Sequence, residues 1–92
     1  MKTPEVFARY CGGLVADVVR DFDNIEQVVM FCSTFIRDGE RAELKAYLDH
    51  ILSRHTDAEL KGILNRACRE VRFRTKDAKA LLEASSNALA RH

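Results

Sequence analysis

Asp49, His50 and Ser53 come closest to a catalytic combination in this sequence, because they fall within about one helical turn. An Asp, a His and a Ser perform nucleophilic catalysis only when their side chains converge. Closeness within one helical turn does not by itself produce that convergence. We therefore interpret the three residues as polar side chains on the surface of a helix. The sequence also lacks a phosphate-binding loop and a dinucleotide-binding fingerprint. We therefore predict no catalytic residues and no enzyme activity.

Metal ligands and reactive thiols are the next chemistry that the residue types allow. His50 and His55 are five positions apart, roughly 140° around a helix, so they do not share a face as a metal-binding pair would. Cys11, Cys32 and Cys68 lie in apolar patterns, and no two of them form a Cys-x-x-Cys pair. An odd number of cysteines argues against a secreted disulfide framework. We expect buried free thiols in a reducing cytoplasm, with no metal and no cofactor.

Length and composition limit the classes of protein that remain. The chain has 92 residues, of which 47% are hydrophobic and 32% charged, and its formal net charge is +1. This composition predicts a single globular domain over residues 1–92, and it argues against a strongly basic nucleic-acid binder. The longest apolar-rich run, Val28–Ile36, is far shorter than the ~20 residues that span a bilayer. No signal-peptide pattern follows the first residues, so we expect a cytoplasmic protein without a membrane segment.

Apolar residues at helical spacing predict an all-α fold, a single small bundle of about five short helices. The third helix is predicted from about Glu40 to Arg54, and the fifth from Thr75 to about Ala90. The successive apolar stripes are Phe7, Tyr10, Cys11, Leu14, Val18 and Phe22; Ile25, Val28, Val29, Cys32, Phe35 and Ile36; Leu44, Tyr47, Leu48, Ile51 and Leu52; Leu60, Ile63, Leu64, Ala67, Cys68 and Val71; and Ala78, Leu81, Leu82, Ser85, Ala88 and Leu89.

Capping residues predict where the helices start. Thr3 before Pro4 is typical of the first N-terminus. Asp23, with Glu26 three residues later, predicts the start of the second helix. Thr56-Asp57-Ala58-Glu59 has the form of a complete capping box for the fourth helix.

Glycines and small residues predict the breaks and the weaker parts of the bundle. Gly12-Gly13 predicts a bend within the first stripe. Gly39 suits a left-handed end to the second helix. The alternating segment Val71–Arg74 predicts an extended exit from the fourth helix. Small residues on the inner face of the fifth helix lead us to expect that this helix is the least tightly held.

The charges are divided unevenly along the chain. Residues 1–60 hold 7 basic and 11 acidic residues, whereas residues 61–92 hold 8 basic and 3 acidic residues. Lys61, Arg69, Arg72 and Lys76 recur at about one- and two-turn intervals and form a candidate basic stripe. Such a stripe can bind phosphates or an acidic protein surface, or pair with the acidic half within the fold.

Four segments together carry a resemblance to a known family. They are Phe7-x-x-Tyr10-x-Gly12-Gly13, Asp21-Phe22-Asp23-x-Ile25-Glu26-x-Val28-Val29, Leu44-x-x-x-Leu48-Asp49-x-Ile51-Leu52-Ser53 and Thr56-Asp57-Ala58-Glu59-Leu60. In this order they resemble the small helical immunity proteins of bacterial contact-dependent growth inhibition systems, over about residues 5–65.

The resemblance implies a non-catalytic inhibitor that binds the toxic C-terminal domain of a delivered effector in the cytoplasm and blocks its active site. Many such toxins are nucleases with basic clefts, which an acidic face would fit. The partner-binding residues expected on this basis are Asp17, Asp21, Asp23 and Glu26, with Tyr10 or Tyr47 as an aromatic anchor.

Two alternative functions remain open on the sequence. The first is a small nucleic-acid-binding or regulatory domain that uses Lys61, Arg69, Arg72 and Lys76. The second is a self-associating adaptor, in which apolar residues such as Phe31 and Phe35 form the seam of a homodimer. Self-association is compatible with either of the other functions.

Overall fold

The described residues of the protein form an all-α bundle, as the apolar periodicity predicts. The computed structural model describes residues 3–14, 24–68 and 71–90. Within these ranges the elements are α1 (Glu5–Cys11), α2 (Ile25–Ser33), a 3-10 turn (Asp38–Glu40), α3 (Arg41–Arg54), α4 (Asp57–Ala67) and α5 (Thr75–Ala90).

The helix starts agree with the capping signals to within one residue. The Thr56 hydroxyl accepts a hydrogen bond from the Glu59 backbone N–H, and the Thr56 N–H donates to the Glu59 carboxylate, which confirms the predicted capping box. At α2 the N-cap is Asn24, whose side chain accepts from the Gln27 N–H at 2.9 Å. The predicted cap, Asp23, lies outside the described residues. At α1 the N-cap is Pro4, one residue after the predicted Thr3.

The first helix ends at Cys11, so its helical hydrogen bonding stops just before the two glycines. Gly12 and Gly13 form a turn, and Leu14 follows it as a buried residue. This end agrees with the predicted bend. The rest of the first predicted stripe, Val18 and Phe22, lies outside the described residues.

The predicted end of the second helix is wrong. Helix α2 ends at Ser33, and Gly39 lies in the 3-10 turn without a positive φ angle. The Glu40 carboxylate accepts a hydrogen bond from the Arg37 N–H at 3.1 Å. This contact makes Asp38–Glu40 the lead-in to α3, so the residues that were expected to terminate one helix instead start the next.

The carboxylate of Glu40 also joins this turn to α1. It accepts two hydrogen bonds from the Arg9 guanidinium, one of them at 2.9 Å. The paired charge of Arg9, together with the Arg37 N–H, lowers the pKa of Glu40 to about 2. The contact links positions that are 31 residues apart.

The expectation that the last helix is the least tightly held is also wrong. Helix α5 packs against α2, α3 and α4. Its inner side chains are buried, and Ala78 and Ser85 are fully so. Small side chains here allow neighbouring helices to approach closely, so small residues indicate close packing in this bundle and not weak packing.

Tyr10 and Ser85 form a buried hydrogen bond between α1 and α5, with 2.6 Å between their hydroxyl oxygens. The Ser85 hydroxyl donates its single proton to the Leu81 carbonyl at 2.8 Å. Tyr10 must therefore be the donor to Ser85, and both buried hydroxyls are satisfied. Burial raises the pKa of the Tyr10 phenol above its ordinary value.

We expect Tyr10→Phe and Ser85→Ala to destabilise the protein less in combination than their separate effects would predict. Ser85→Ala leaves the buried Tyr10 hydroxyl without its acceptor, and Tyr10→Phe removes the proton that Ser85 accepts, whereas the double variant removes both hydroxyls. The expected coupling free energy is about 1 kcal/mol in a double-mutant cycle measured by urea unfolding. If the losses of unfolding free energy in the two single variants simply added in the double variant, this result would contradict the hydrogen bond between Tyr10 and Ser85.

We expect Glu40→Gln to reduce the pH dependence of thermal stability in acid. Because the folded pKa of Glu40 is lowered, its pairing stabilises the fold above its ordinary pKa of 4.5, and this stabilisation is lost as the pH falls toward about 2. The melting temperature of the wild type should therefore converge on that of the variant across this range. Added salt should reduce the difference in melting temperature between the wild type and the variant at neutral pH, because the ion pair of Arg9 and Glu40 is partly exposed.

Glu83→Gln provides the control for this experiment. Glu83 is an exposed residue of α5 outside the described ion pairs. If Glu83→Gln reduced the pH dependence of the melting temperature as much as Glu40→Gln, then overall charge, and not the contact with Arg9, would set the acid sensitivity.

Candidate functional site

The three sequence neighbours that resemble a catalytic set do not converge. The Ser53 hydroxyl donates to the His50 carbonyl at 2.9 Å, which is a contact within the helix. The Asp49 carboxylate accepts instead from Lys45, at 2.6 Å, and from Ser86 on α5. These side chains are thus engaged separately.

Lys45, Asp49 and Ser86 form a polar group that sequence reasoning missed. Ser86 is largely buried, and its hydroxyl proton is directed at the Asp49 carboxylate. Lys45, and then Ser86, lower the pKa of Asp49, so this group accepts hydrogen bonds as a carboxylate at neutral pH. The group joins α3 to α5, and no sequence signal relates Ser86 to a helix 37 residues away.

The three cysteines lie in the core, as predicted, and they are free thiols. They come together from the end of α1, from α2 and from the residue after α4. Burial raises the pKa of Cys32 to about 12, and a hydrogen bond to Cys68 together with burial raises the pKa of Cys11. Raised pKa values make the thiols of Cys11 and Cys32 poor nucleophiles at neutral pH, whereas the hydrogen bond with Cys11 lowers the pKa of Cys68.

Within the described ranges, no group of His, Cys, Asp and Glu side chains is arranged to hold a metal ion. The His55 ring lies 3.6 Å from the Glu59 carboxylate, one turn along the chain.

The two predicted aromatic anchors require correction, because both are core residues. Tyr10 is bonded to Ser85 and is 2% exposed. The Tyr47 ring packs against Phe7, with 4.9 Å between the ring centres, and is 5% exposed. A partner protein cannot reach either ring in this fold.

One of the four predicted acidic contacts is within the described residues. Glu26 is exposed in the first turn of α2. Asp17, Asp21 and Asp23 lie outside the described residues.

An apolar surface on and just after α2 was only partly predicted. Met30 is 72% exposed and Phe35 is 44% exposed, and they are the only large apolar side chains of the described residues with such exposure. Phe31 and Phe35 meet edge to face, with 5.5 Å between their ring centres. We call Met30, Phe31 and Phe35 the Met30 patch. Sequence reasoning identified the two phenylalanines through their excess over a small core, but it missed Met30.

Gly13 supports the inner edge of the Met30 patch. A Cβ atom at this position would lie 2.9 Å from the Phe35 ring and 3.2 Å from the Cys32 sulfur. The absence of a side chain therefore allows Phe35 to lie over the turn that follows α1.

Exposed basic residues lie along α4 and along the segment that leads from it to α5. The Asn65 side chain accepts from the Phe73 N–H at 2.8 Å and donates to the Phe73 carbonyl at 3.1 Å. This double contact holds the segment around Phe73 beside α4. We call the following residues the basic exit surface: Lys61, Arg66, Arg72, Arg74 and Lys76. All five are exposed. Arg69, the remaining predicted member, lies outside the described residues.

The ion pairs bear on whether the two oppositely charged halves of the chain neutralise each other. In the described part of the chain they join Arg9 to Glu40, Lys45 to Asp49, His55 to Glu59 and Lys79 to Asp57. Of these four pairs, only that of Lys79 and Asp57 joins a basic residue of the second part of the chain, residues 61–92, to an acidic residue of the first part, residues 1–60. The basic exit surface takes part in none of these pairs.

In comparisons with known proteins, no family model, curated protein or solved structure matches the chain. Within the described residues, no helix combines the length and the apolar character needed to cross a membrane.

We expect opposite effects from adding a methyl group at Gly13 and at Gly62. Gly13→Ala should destabilise the fold by about 1–3 kcal/mol, because the buried Cys32 sulfur leaves little room to shift. Gly62→Ala should stabilise it by about 0.5–1 kcal/mol, because Gly62 lies inside α4 and the new Cβ would meet only an ordinary contact at 3.5 Å. Urea unfolding measures both changes. Equal effects would contradict the close approach of Gly13 to Phe35 and Cys32.

Proposed function

We propose that this protein is a non-catalytic binding module that holds a partner protein against the exposed face of α2. The observation that supports this function is the Met30 patch. Met30 and Phe35, five positions apart in the chain, are exposed although the other large apolar side chains of the described residues are buried or half-buried.

The chemistry of this face suits a protein partner. Methionine is flexible and polarisable, and aromatic residues are enriched in the buried centres of protein interfaces. Glu26 lies one turn before Met30 on the same helix, so an exposed carboxylate borders the apolar residues. An apolar centre with an acidic rim complements a surface that has an apolar pocket and basic residues around it.

The resemblance to immunity proteins gives this proposal its most specific form. In that form the partner is the toxic domain of a delivered effector with a basic active-site cleft, and the protein blocks that cleft in the cytoplasm. The acidic contribution comes from Glu26 and, by sequence position, from Asp17, Asp21 and Asp23. The Met30 patch takes the anchoring role that was predicted for Tyr10 and Tyr47.

We expect Met30→Lys to weaken binding to the toxin domain by about tenfold or more, equivalent to about 1.4 kcal/mol, because it places a cation at the centre of the interface and opposite a basic partner. The partner to test is the C-terminal domain of a large effector encoded immediately upstream. Titration calorimetry with the purified domain measures the affinity. Ala46→Lys, at an exposed position of α3, is the matched control and should bind like the wild type.

The same variants distinguish a toxin inhibitor from a self-associating adaptor. Sedimentation of the wild type alone at high concentration should show a monomer. The wild type could instead form a dimer that Met30→Lys dissociates, and fail to bind the toxin domain. That result would assign the Met30 patch to the interface of a homodimer. No complex with the toxin domain at micromolar concentration would contradict the inhibitor proposal.

A further inference from the structure

We infer that the basic exit surface binds the phosphate backbone of a nucleic-acid duplex, at a site separate from the Met30 patch. The two surfaces belong to different parts of the chain, since one lies on α2 and the other lies on α4, α5 and the segment between them. The inference therefore does not depend on the proposed protein partner.

The Asn65 contact brings basic side chains from separate parts of the chain together. Lys61 precedes Asn65 by four residues, so the two share one face of α4. Because Asn65 bonds both backbone polar groups of Phe73, the residues on either side of Phe73 are fixed next to this end of α4. Those residues are Arg72 and Arg74.

The segment between α4 and α5 exposes both of these arginines to solvent. Successive side chains of an extended chain alternate between two sides. Val71 and Phe73 are partly buried, and Phe73 packs against the core, whereas Arg72 and Arg74 are exposed. The Arg72 guanidinium also donates from one nitrogen to the Cys68 carbonyl at 2.7 Å, which restrains it while its other N–H groups are available to a ligand.

The described carboxylates near this surface offset its charge only in part, because two of the three have other partners. Asp57 pairs with Lys79, and Glu59 bonds the Thr56 N–H. Among the described residues, Asp77 is the acidic residue nearest in sequence to Lys76. The net charge of +1 for the whole chain thus includes five described and exposed cations between positions 61 and 76.

Two features favour a nucleic-acid duplex over an acidic protein or a single strand. Protein interfaces usually centre on apolar or aromatic anchors, but the exposed large apolar residues of the described chain, Met30 and Phe35, are on the other surface. Single-strand binding relies on aromatic side chains that stack on bases, and the only aromatic residue here, Phe73, packs inward. Arginine forks without an apolar centre fit a phosphate backbone.

Fluorescence anisotropy with labelled 20-base-pair DNA and RNA duplexes tests the inference. Binding should weaken by roughly 100- to 1000-fold between 50 and 200 mM salt, since about five phosphates would be neutralised. The variant Arg66→Gln/Arg74→Gln removes two cations that make no described ion pair. It should bind more weakly, and the slope of log K against log salt concentration should fall by about 2.

Arg37→Gln/Arg54→Gln is the matched control, because it changes the net charge equally at two exposed arginines outside this surface. It should bind like the wild type, and circular dichroism should show that both double variants are folded. An equal loss of duplex affinity in the two double variants would overturn the inference. So would the absence of binding to either duplex at tens of micromolar protein, or tighter binding to polyglutamate than to both duplexes.

Discussion

The inner face of α5 is the constraint on which the rest of the described structure depends. A chain of 92 residues has a thin core, so a 16-residue helix can be buried along one face only if several neighbours share its contacts. Helices α2, α3 and α4 all pack against it, and α1 reaches it through Tyr10. Alanine and serine at its buried positions permit this arrangement, because their small side chains let helices on different sides come close.

Polar contacts across this core determine which helices are neighbours. A buried hydroxyl without a partner would cost about 1–3 kcal/mol, so each buried polar side chain restricts the packing to arrangements that satisfy it. Tyr10 requires Ser85, Ser86 donates to Asp49, and Asn65 requires the backbone of Phe73. The apolar stripes alone would allow the helices to slide or exchange places, whereas these directional contacts favour one register.

The same packing separates two surfaces of different chemistry. Burial of Tyr10 and Tyr47 removes aromatic groups from the outside and leaves Met30 and Phe35 as the exposed large apolar residues of the described chain. The Asn65 contact gathers cations that are distant in sequence, and the ion pairs elsewhere engage most of the nearby carboxylates. A chain with almost no net charge thereby exposes large apolar side chains near Glu26 in one part and a set of basic side chains in another.

The sequence by itself determined the local features: five helices, the Thr56 capping box, the break at Gly12-Gly13 and the burial of the cysteines. These depend on side-chain periodicity and on contacts within a few residues, which a linear pattern contains. It could not determine that Gly39 belongs to the lead-in of α3, that α5 packs against three other described helices, or that Tyr10 and Tyr47 are inaccessible. Only the tertiary structure decided these points, and with them the makeup of the Met30 patch and the basic exit surface. The physical reason is that burial and charge pairing depend on which residues meet across the core, and partners such as Tyr10 and Ser85, 75 positions apart, leave no trace in the local pattern.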